Sequence, residues 1–220
     1  MNPIELLEGR QLLAVTPIDP ANFVQTVNNP YMPLLPGTTY VFKGVQDGKP
    51  AKGLTTVTHQ TKVLMGVTTT QVHDRVYLKG KLIEDTLDWY AQDKDGNVWY
   101  FGEDSKEIEN GQVVSTEGSW QAGVNGARPG IVMEAHPKVG DYYRQEFAGK
   151  VAADRAKVLN VNTRADVPFA AFSHVLQTKE FTELEPGVVE QKFYARGIGF
   201  VRSVMVKGGT EIFNLVAIRY

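Results

Sequence analysis

The sequence predicts an all-β fold: an antiparallel meander of about ten strands curled into a barrel or half-barrel, lipocalin-like in architecture. Three observations predict it. Runs rich in Val, Thr and aromatic residues alternate with turn signals at short intervals along the chain. No stretch sustains a long 3.6-residue period. The 21 glycines and 11 prolines are spread over 220 residues instead of gathering in one low-complexity block. A meander of this size does not stay flat and open.

The elements follow in order. Residues 1–37 read as an N-terminal extended arm and 38–220 as one β-barrel-like domain. Residues 1–15 would form a short amphipathic segment, with Ile4, Leu6, Leu7, Leu12 and Leu13 available to dock. Pro17, Pro20, Pro30, Pro33 and Pro36 then exclude a long helix or a central strand. Asp19-Pro20 is placed to cap a short helix through Val24. Strands are predicted at Thr38–Gly44, Leu54–Leu64 and Val67–Leu78. From Gln71 to Trp120, turns at Lys79-Gly80, Asp95-Gly96 and Asn110-Gly111 define four strands. Residues 121–140, with Gly123, Gly126, Pro129, Gly130, Pro137 and Gly140, read as a long loop and candidate lid. The alternative is a loop with a short strand at Ile131–Met133. Later strands are expected at Asp141–Phe147, Lys157–Val167, Val175–Phe181, Val188–Ala195, Phe200–Val206 and Glu211–Ile218. A short helix over Val151–Lys157 is the one helical alternative there.

Composition narrows the function. There are 23 basic and 25 acidic residues, a formal net charge of −2. That balance argues against nucleic acid or an anionic membrane as a partner held by bulk electrostatics. The absence of cysteine excludes thiol catalysis, disulfides and thiolate metal sites. No apolar run has the length of a membrane helix. No zinc spacing, GxSxG elbow, phosphate loop or dinucleotide fingerprint is present, and no cofactor is expected. Asp93-Lys94-Asp95-Gly96-Asn97 begins like a calcium loop, but lacks the downstream bidentate Glu and reads as a hairpin turn.

Two resemblances add to this reading. The run LEGRQLLAV, Leu7 to Val15, resembles the Leu-Glu-x-Arg-x-Leu-Leu segment near the start of many exported planctomycete proteins, which implies export. No basic n-region precedes it, and no small-residue cleavage site follows. The runs NPYMPLLPGTTYVF, DRVYLKGKLIEDTLDWYAQDKDGNVWYFGED, HPKVGDYYRQEF and KFYARGIGFV resemble a group of bacterial proteins, mostly exported and β-rich, that has no established activity. That resemblance implies a single β-rich domain and no mechanism.

Candidate site residues come from the register of the Gln71–Trp120 meander. A two- or four-residue loop at Lys79-Gly80 places Val76 opposite Ile83 and Asp74 opposite Asp85. Alternation then puts Val72, Asp74, Val76, Ile83, Asp85, Leu87 and Trp89 on one face. This face is the more apolar and is expected to point inward. Closing the next turn with Ala91 opposite Trp99 adds Phe101 and Glu103, and the Asn110-Gly111 hairpin brings Phe101 opposite Trp120. The predicted interior therefore carries the acids Asp74, Asp85 and Glu103 beside Trp89, Trp99, Phe101 and Trp120. A three-residue loop would instead pair Asp74 with Glu84. Arg144 is the preferred cationic partner for a buried acid, with Arg75 and Lys179 as others, and His136 could reach a cavity mouth as a general acid or base.

Three functions are compatible with this set. The first is binding of a small, largely apolar molecule, with the aromatics giving contact area and the acids orientation. The second is a cofactor-independent lyase, isomerase or hydrolase using carboxylate acid/base catalysis in the same cavity. The third is a structural or surface protein. A homodimer would form through sheet edges or the N-terminal arm. A cavity holding an unpaired acid would favour the enzyme.

Overall fold

A computed structural model describes residues 18–220. The segment resembling exported proteins, 7–15, lies outside them. Eleven strands of six or more residues form the fold, labelled β1 (Thr39–Gln46), β2 (Lys49–Leu64), β3 (Val67–Leu78), β4 (Lys81–Asp93), β5 (Val98–Glu109), β6 (Arg128–Met133), β7 (Asp154–Val167), β8 (Ala170–Thr182), β9 (Val189–Ala195), β10 (Gly199–Lys207) and β11 (Ile212–Arg219). All pairings are antiparallel. The spatial order is β7-β8-β9-β10-β11-β1-β2-β3-β4-β5-β6, so the last strand pairs with the first.

The sheet nearly closes on itself through one short segment. Tyr142–Arg144 pairs with β7, and Glu146–Phe147 pairs with β6. Gln145, between them, donates its backbone N–H to Asp154 O at 2.8 Å. The all-β barrel expected from the sequence is therefore the observed architecture.

Gly130 makes that closure sterically feasible. A Cβ at this position would lie 2.3 Å from Arg144 O and 2.6 Å from Gln145 O. Gly130→Val is expected to force the closing segment off β6 and cost about 1–3 kcal/mol, read as a lower urea midpoint. An unchanged midpoint would show that the seam is not under this constraint.

Local chemistry accounts for the turns. Lys79 and Gly80 both have positive φ, 51° and 80°, as a tight two-residue hairpin requires. Asp93 ties the next turn: its carboxylate accepts from Asn97 N at 2.8 Å, Asn97 Nδ2 at 3.0 Å and Trp99 Nε1 at 2.8 Å. The short helix at Asp19-Pro20 is a 3-10 turn over Pro20–Asn22, capped by Asp19 Oδ1 accepting from Ala21 N.

Two expectations are corrected. The stretch 121–140 is not a free lid, because β6 lies in the sheet, with Gly130 beside Tyr100 and Met133 beside Val98. The alternative strand at Ile131–Met133 is the one seen, extended to Arg128. The helical alternative at Val151–Lys157 is also not formed, since β7 starts at Asp154 and Ala156 and Val158 alternate into the core.

Three apolar clusters organise the packing. One gathers Val57, Val72, Val98, Met133, Val158, Leu176 and Tyr194, together with Val27, Tyr31 and Leu34 from the preceding arm. A second, around Phe42, Val175, Val201, Phe213 and Leu215, joins β1, β8, β10 and β11. The third packs Trp89, Phe101 and Trp120 with Leu64, Val67, Ala122, Ala127 and Ala152, where the 120–127 and 148–152 segments cover the sheet.

Candidate functional site

Inside the barrel lies a cavity of about 510 Å³, enough for a small organic molecule. Its apolar and aromatic wall includes Met32, Leu34, Tyr40, Phe42, Val72, Tyr90, Tyr100, Val132, Tyr194 and Phe200. Six carboxyl groups share that wall: Asp74, Glu84, Glu103, Glu146, Asp154 and Glu180. Lys192 is the one cation among the described lining residues.

Strand alternation puts these groups together. On β8, Thr178 and Glu180 are two apart and share a face; on β9, Lys192 and Tyr194 do the same. Pairing of Thr178 with Lys192 and Leu176 with Tyr194 joins the two sets. The result is a satisfied ion network. Lys192 Nζ lies 2.8 Å from Glu180 Oε2 and 3.4 Å from Glu190 Oε2. Thr178 and Tyr194 hydroxyls donate to Glu180 Oε1 at 3.0 and 3.1 Å. Burial would raise the Glu180 carboxyl, but the Lys192 charge and these hydrogen bonds outweigh it and hold it below its ordinary value. Burial likewise opposes the Lys192 charge, and attraction to Glu180 and Glu190 raises it well above the usual lysine range.

The remaining acids have no cation of their own. Burial, then the charges of Asp88 and Glu146, pushes Glu103 up to about 9. Burial and the neighbouring Asp154 push Glu146 up to about 7. Burial also raises Asp74, opposed chiefly by the hydrogen bond that the Thr55 hydroxyl donates to it, and raises Glu84 with help from Asp74. Asp88 sits behind the wall, 5 % exposed, and accepts from Tyr100 OH at 2.6 Å. Tyr100 stacks on Tyr90 with ring centroids 4.8 Å apart. Glu146 is 5 % exposed, and its Oε2 has no hydrogen-bond partner among the described residues. Asp154, also on the wall, is exposed.

The sequence-predicted residues divide sharply. Asp74 and Glu103 line the cavity. Asp85 does not, and it does not face Asp74. Tyr77 does pair with Leu82 at the turn, but a bulge at Ile83 then shifts the register by one. Asp74 therefore pairs with Thr86, and Asp85 pairs with Arg75. The Asp85 side chain instead meets His73 Nε2 at 2.9 Å on the opposite face. A second bulge, at Phe101, places Trp89 beside Gly102 and Asp88 beside Glu103. Asp88 and Glu103 are thus opposed, as are Glu84 and Glu107. Trp120 pairs with Glu103, not Phe101. Gly102 permits this: its φ is 139°, and a Cβ there would lie 2.4 Å from Trp120 O.

The predicted aromatic lining is corrected with it. None of Trp89, Trp99, Phe101 and Trp120 lines the cavity. Trp89, Phe101 and Trp120 are buried in the cluster with Leu64 and Val67, and Trp99 packs against it. The cavity aromatics are tyrosines and phenylalanines, with Trp120 edge-on to Tyr100 at 5.4 Å. Arg144 is exposed and stacks with Arg128 on Phe147, at 4.8 and 4.7 Å. It pairs with no cavity acid; Lys192 does. His136 is exposed and is not among the lining residues.

Glu146, Asp154, Glu180 and Lys192 were not singled out by sequence reasoning. The one available signal was the spacing of Thr178 with Glu180 and of Lys192 with Tyr194, polar pairs two apart and therefore on one strand face. Among the described residues, no group of three or more His, Asp or Glu side chains converges as a metal site would.

No family model and no curated protein matches the chain. Among solved structures, a Bacteroides fragilis protein with a YmcC-like fold, a candidate exported protein, aligns over 86 % of this chain and 99 % of its own, with 15 % identity and a TM-score of 0.50. A candidate lipoprotein from Parabacteroides distasonis aligns over 87 % of this chain and 99 % of its own, with 10 % identity and a TM-score of 0.47. The first likeness supports a YmcC-like barrel fold.

Proposed function

We propose that the protein is an exported barrel that binds a small, largely apolar molecule in its interior. The observation that carries this is the 510 Å³ cavity, walled by Tyr40, Phe42, Tyr90, Tyr100, Tyr194 and Phe200 and interrupted by a few fixed polar groups. Aromatic walls supply contact area, and the carboxyls and Lys192 supply orientation. Support for export comes from the Leu7–Val15 resemblance and from the Bacteroides fragilis neighbour. No helix among the described residues is long and apolar enough to cross a membrane.

Filling the cavity tests the reading. Val132 lines it without belonging to the fully buried core. Val132→Trp is expected to weaken binding of an apolar fluorescent probe by about tenfold or more, with the far-ultraviolet spectrum retained. Equal probe affinity in a folded Val132→Trp protein would sink the proposal.

A second reading is favoured by Glu146. It is a cavity acid raised to about 7 by burial and the Asp154 charge, beside Glu103, raised to about 9. Two carboxyls with separated proton affinities suit general acid/base work by a cofactor-independent lyase, isomerase or hydrolase. In that reading Glu146 takes a proton or activates water while Glu103 donates. Turnover that survives Glu146→Gln undiminished would remove Glu146 from it.

A further inference from the structure

We infer that the cavity is built for an organic cation, an ammonium group carried on a compact apolar body; this rests on the small-molecule reading above. Charge count is the first ground. Six carboxyls line the space against one lysine, and that lysine already lies against Glu180 and Glu190. Orienting a neutral molecule takes fewer acids than this, and each one that ionises costs desolvation.

The second ground is independent of the count. Glu146 is 5 % exposed, it lines the cavity, and its Oε2 has no partner among the described residues. The Trp120 indole and the Asp154 backbone N–H favour the ionised form of this carboxyl against burial, so that it can present a negative charge to the wall. The same wall carries the rings of Tyr90, Tyr100 and Phe200, aromatic side chains that attract cations through the ring quadrupole where a face is free.

The arrangement also selects the kind of cation. A point ion needs several oxygens within one coordination sphere. Here no three acidic or histidine side chains converge among the described residues. Acids dispersed around a 510 Å³ space suit an extended cation, whose charge meets one or two of them while its apolar part fills the rest. Arrival of the cation would displace a proton. Glu146 is faced by Asp154 on β7 and Lys192 on β9, and its own charge bears on Glu103 on β5 and Asp88 on β4. Burial and the Asp154 charge hold its proton on against Lys192, the Trp120 indole and the Asp154 backbone N–H, and a positive ligand releases it.

The experiment uses benzyltrimethylammonium, which cannot itself titrate, and its uncharged carbon isostere neopentylbenzene. Both are titrated calorimetrically into the full chain in buffers of different ionisation enthalpy. The cation is expected to bind about tenfold or more tightly than the isostere, to release protons, and to tighten as pH rises from about 6 to about 8. Glu146→Gln is expected to remove most of the preference and the pH dependence. Equal binding of isostere and cation without proton release would overturn the cation assignment and leave small-molecule binding standing. Binding of neither would overturn both. Displacement of the cation by calcium at similar concentration would point to a point-ion site and overturn the organic assignment. If Glu146→Gln fails to fold, the isostere comparison and the proton release of the wild-type protein still decide the matter.

Discussion

Lys192→Met is expected to lower unfolding free energy by about 3 kcal/mol at neutral pH, among the largest effects of any single substitution in the barrel. The lysine is the partner that keeps Glu180 ionised, and the Glu180 side chain is only 10 % exposed. Methionine preserves most of the aliphatic stem, so packing changes little and the charge is what disappears. Glu180 would then keep the hydroxyls of Thr178 and Tyr194 and lose its counter-charge, so burial would drive it to take a proton. The figure lies at the low end for breaking a buried pair, because 32 % of the Lys192 side chain remains accessible. Loss of Lys192 would also remove the attraction that restrains Asp74, Glu146 and Asp154. Denaturant unfolding of Lys192→Met, Glu180→Gln and the double variant closes a thermodynamic cycle. A coupling below about 0.5 kcal/mol would class the pair with exposed ion pairs and contradict this account.

Much of the strand layout was legible because turn chemistry is local. Lys79-Gly80 and Asn110-Gly111 sit at positive φ where their hairpins close, and Asp95-Gly96 lies in the turn where expected. Register was less legible, because a bulge adds one residue without changing composition. Ile83 looks like any other apolar strand residue, yet its insertion moves Asp85 to the far face and brings Glu84 to the side of Asp74. Phe101 does the same to the next pairing. Counting alternation outward from a turn is reliable only to the first bulge.

The site itself was mostly hidden for a different reason. Asp74 and Glu103 are near each other in the chain and could be found from one meander. Lys192, Glu180, Glu146 and Asp154 reach them only because the sheet curls and the 142–147 segment joins its two margins. No local pattern encodes that meeting. Tryptophan was also a poor guide to the interior. Trp89 and Trp120 bury their area in one cluster with Ala122 and Ala127, while the cavity wall is left to smaller rings, four tyrosines and two phenylalanines.

The protein is expected to be most stable near about pH 5 and to lose stability steadily toward about pH 8 and above, the reverse of a protein held together by ionised carboxylates. Glu103 supplies the largest part. Its carboxyl stands at about 9 in the folded chain against an ordinary 4.5. A folded value above the unfolded one means that the neutral form is the one folding favours. The stabilising contribution is therefore complete below 4.5 and is lost as pH rises toward 9. At pH 7 that loss is about 3 kcal/mol for Glu103 alone. Glu146 and Glu211, both raised to about 7, act in the same direction. Glu180 acts oppositely: held below its ordinary value, it contributes above that value and is lost as pH falls through its folded one. Acid therefore limits the profile from the other side. Thermal midpoints across this range check the profile, and Glu103→Gln isolates its cause. Glutamine keeps the shape, cannot ionise, and is expected to raise the midpoint at about pH 8 while leaving that at about pH 5 little changed. A midpoint that climbs between these values in the unaltered protein would show that the cavity acids are ionised and paired in a way the barrel does not display. On the cation proposal, the cavity's occupant offsets this cost. A quaternary ammonium ion in excess is accordingly expected to raise the midpoint more at about pH 8 than at about pH 5, because it lifts a penalty present only at the higher pH.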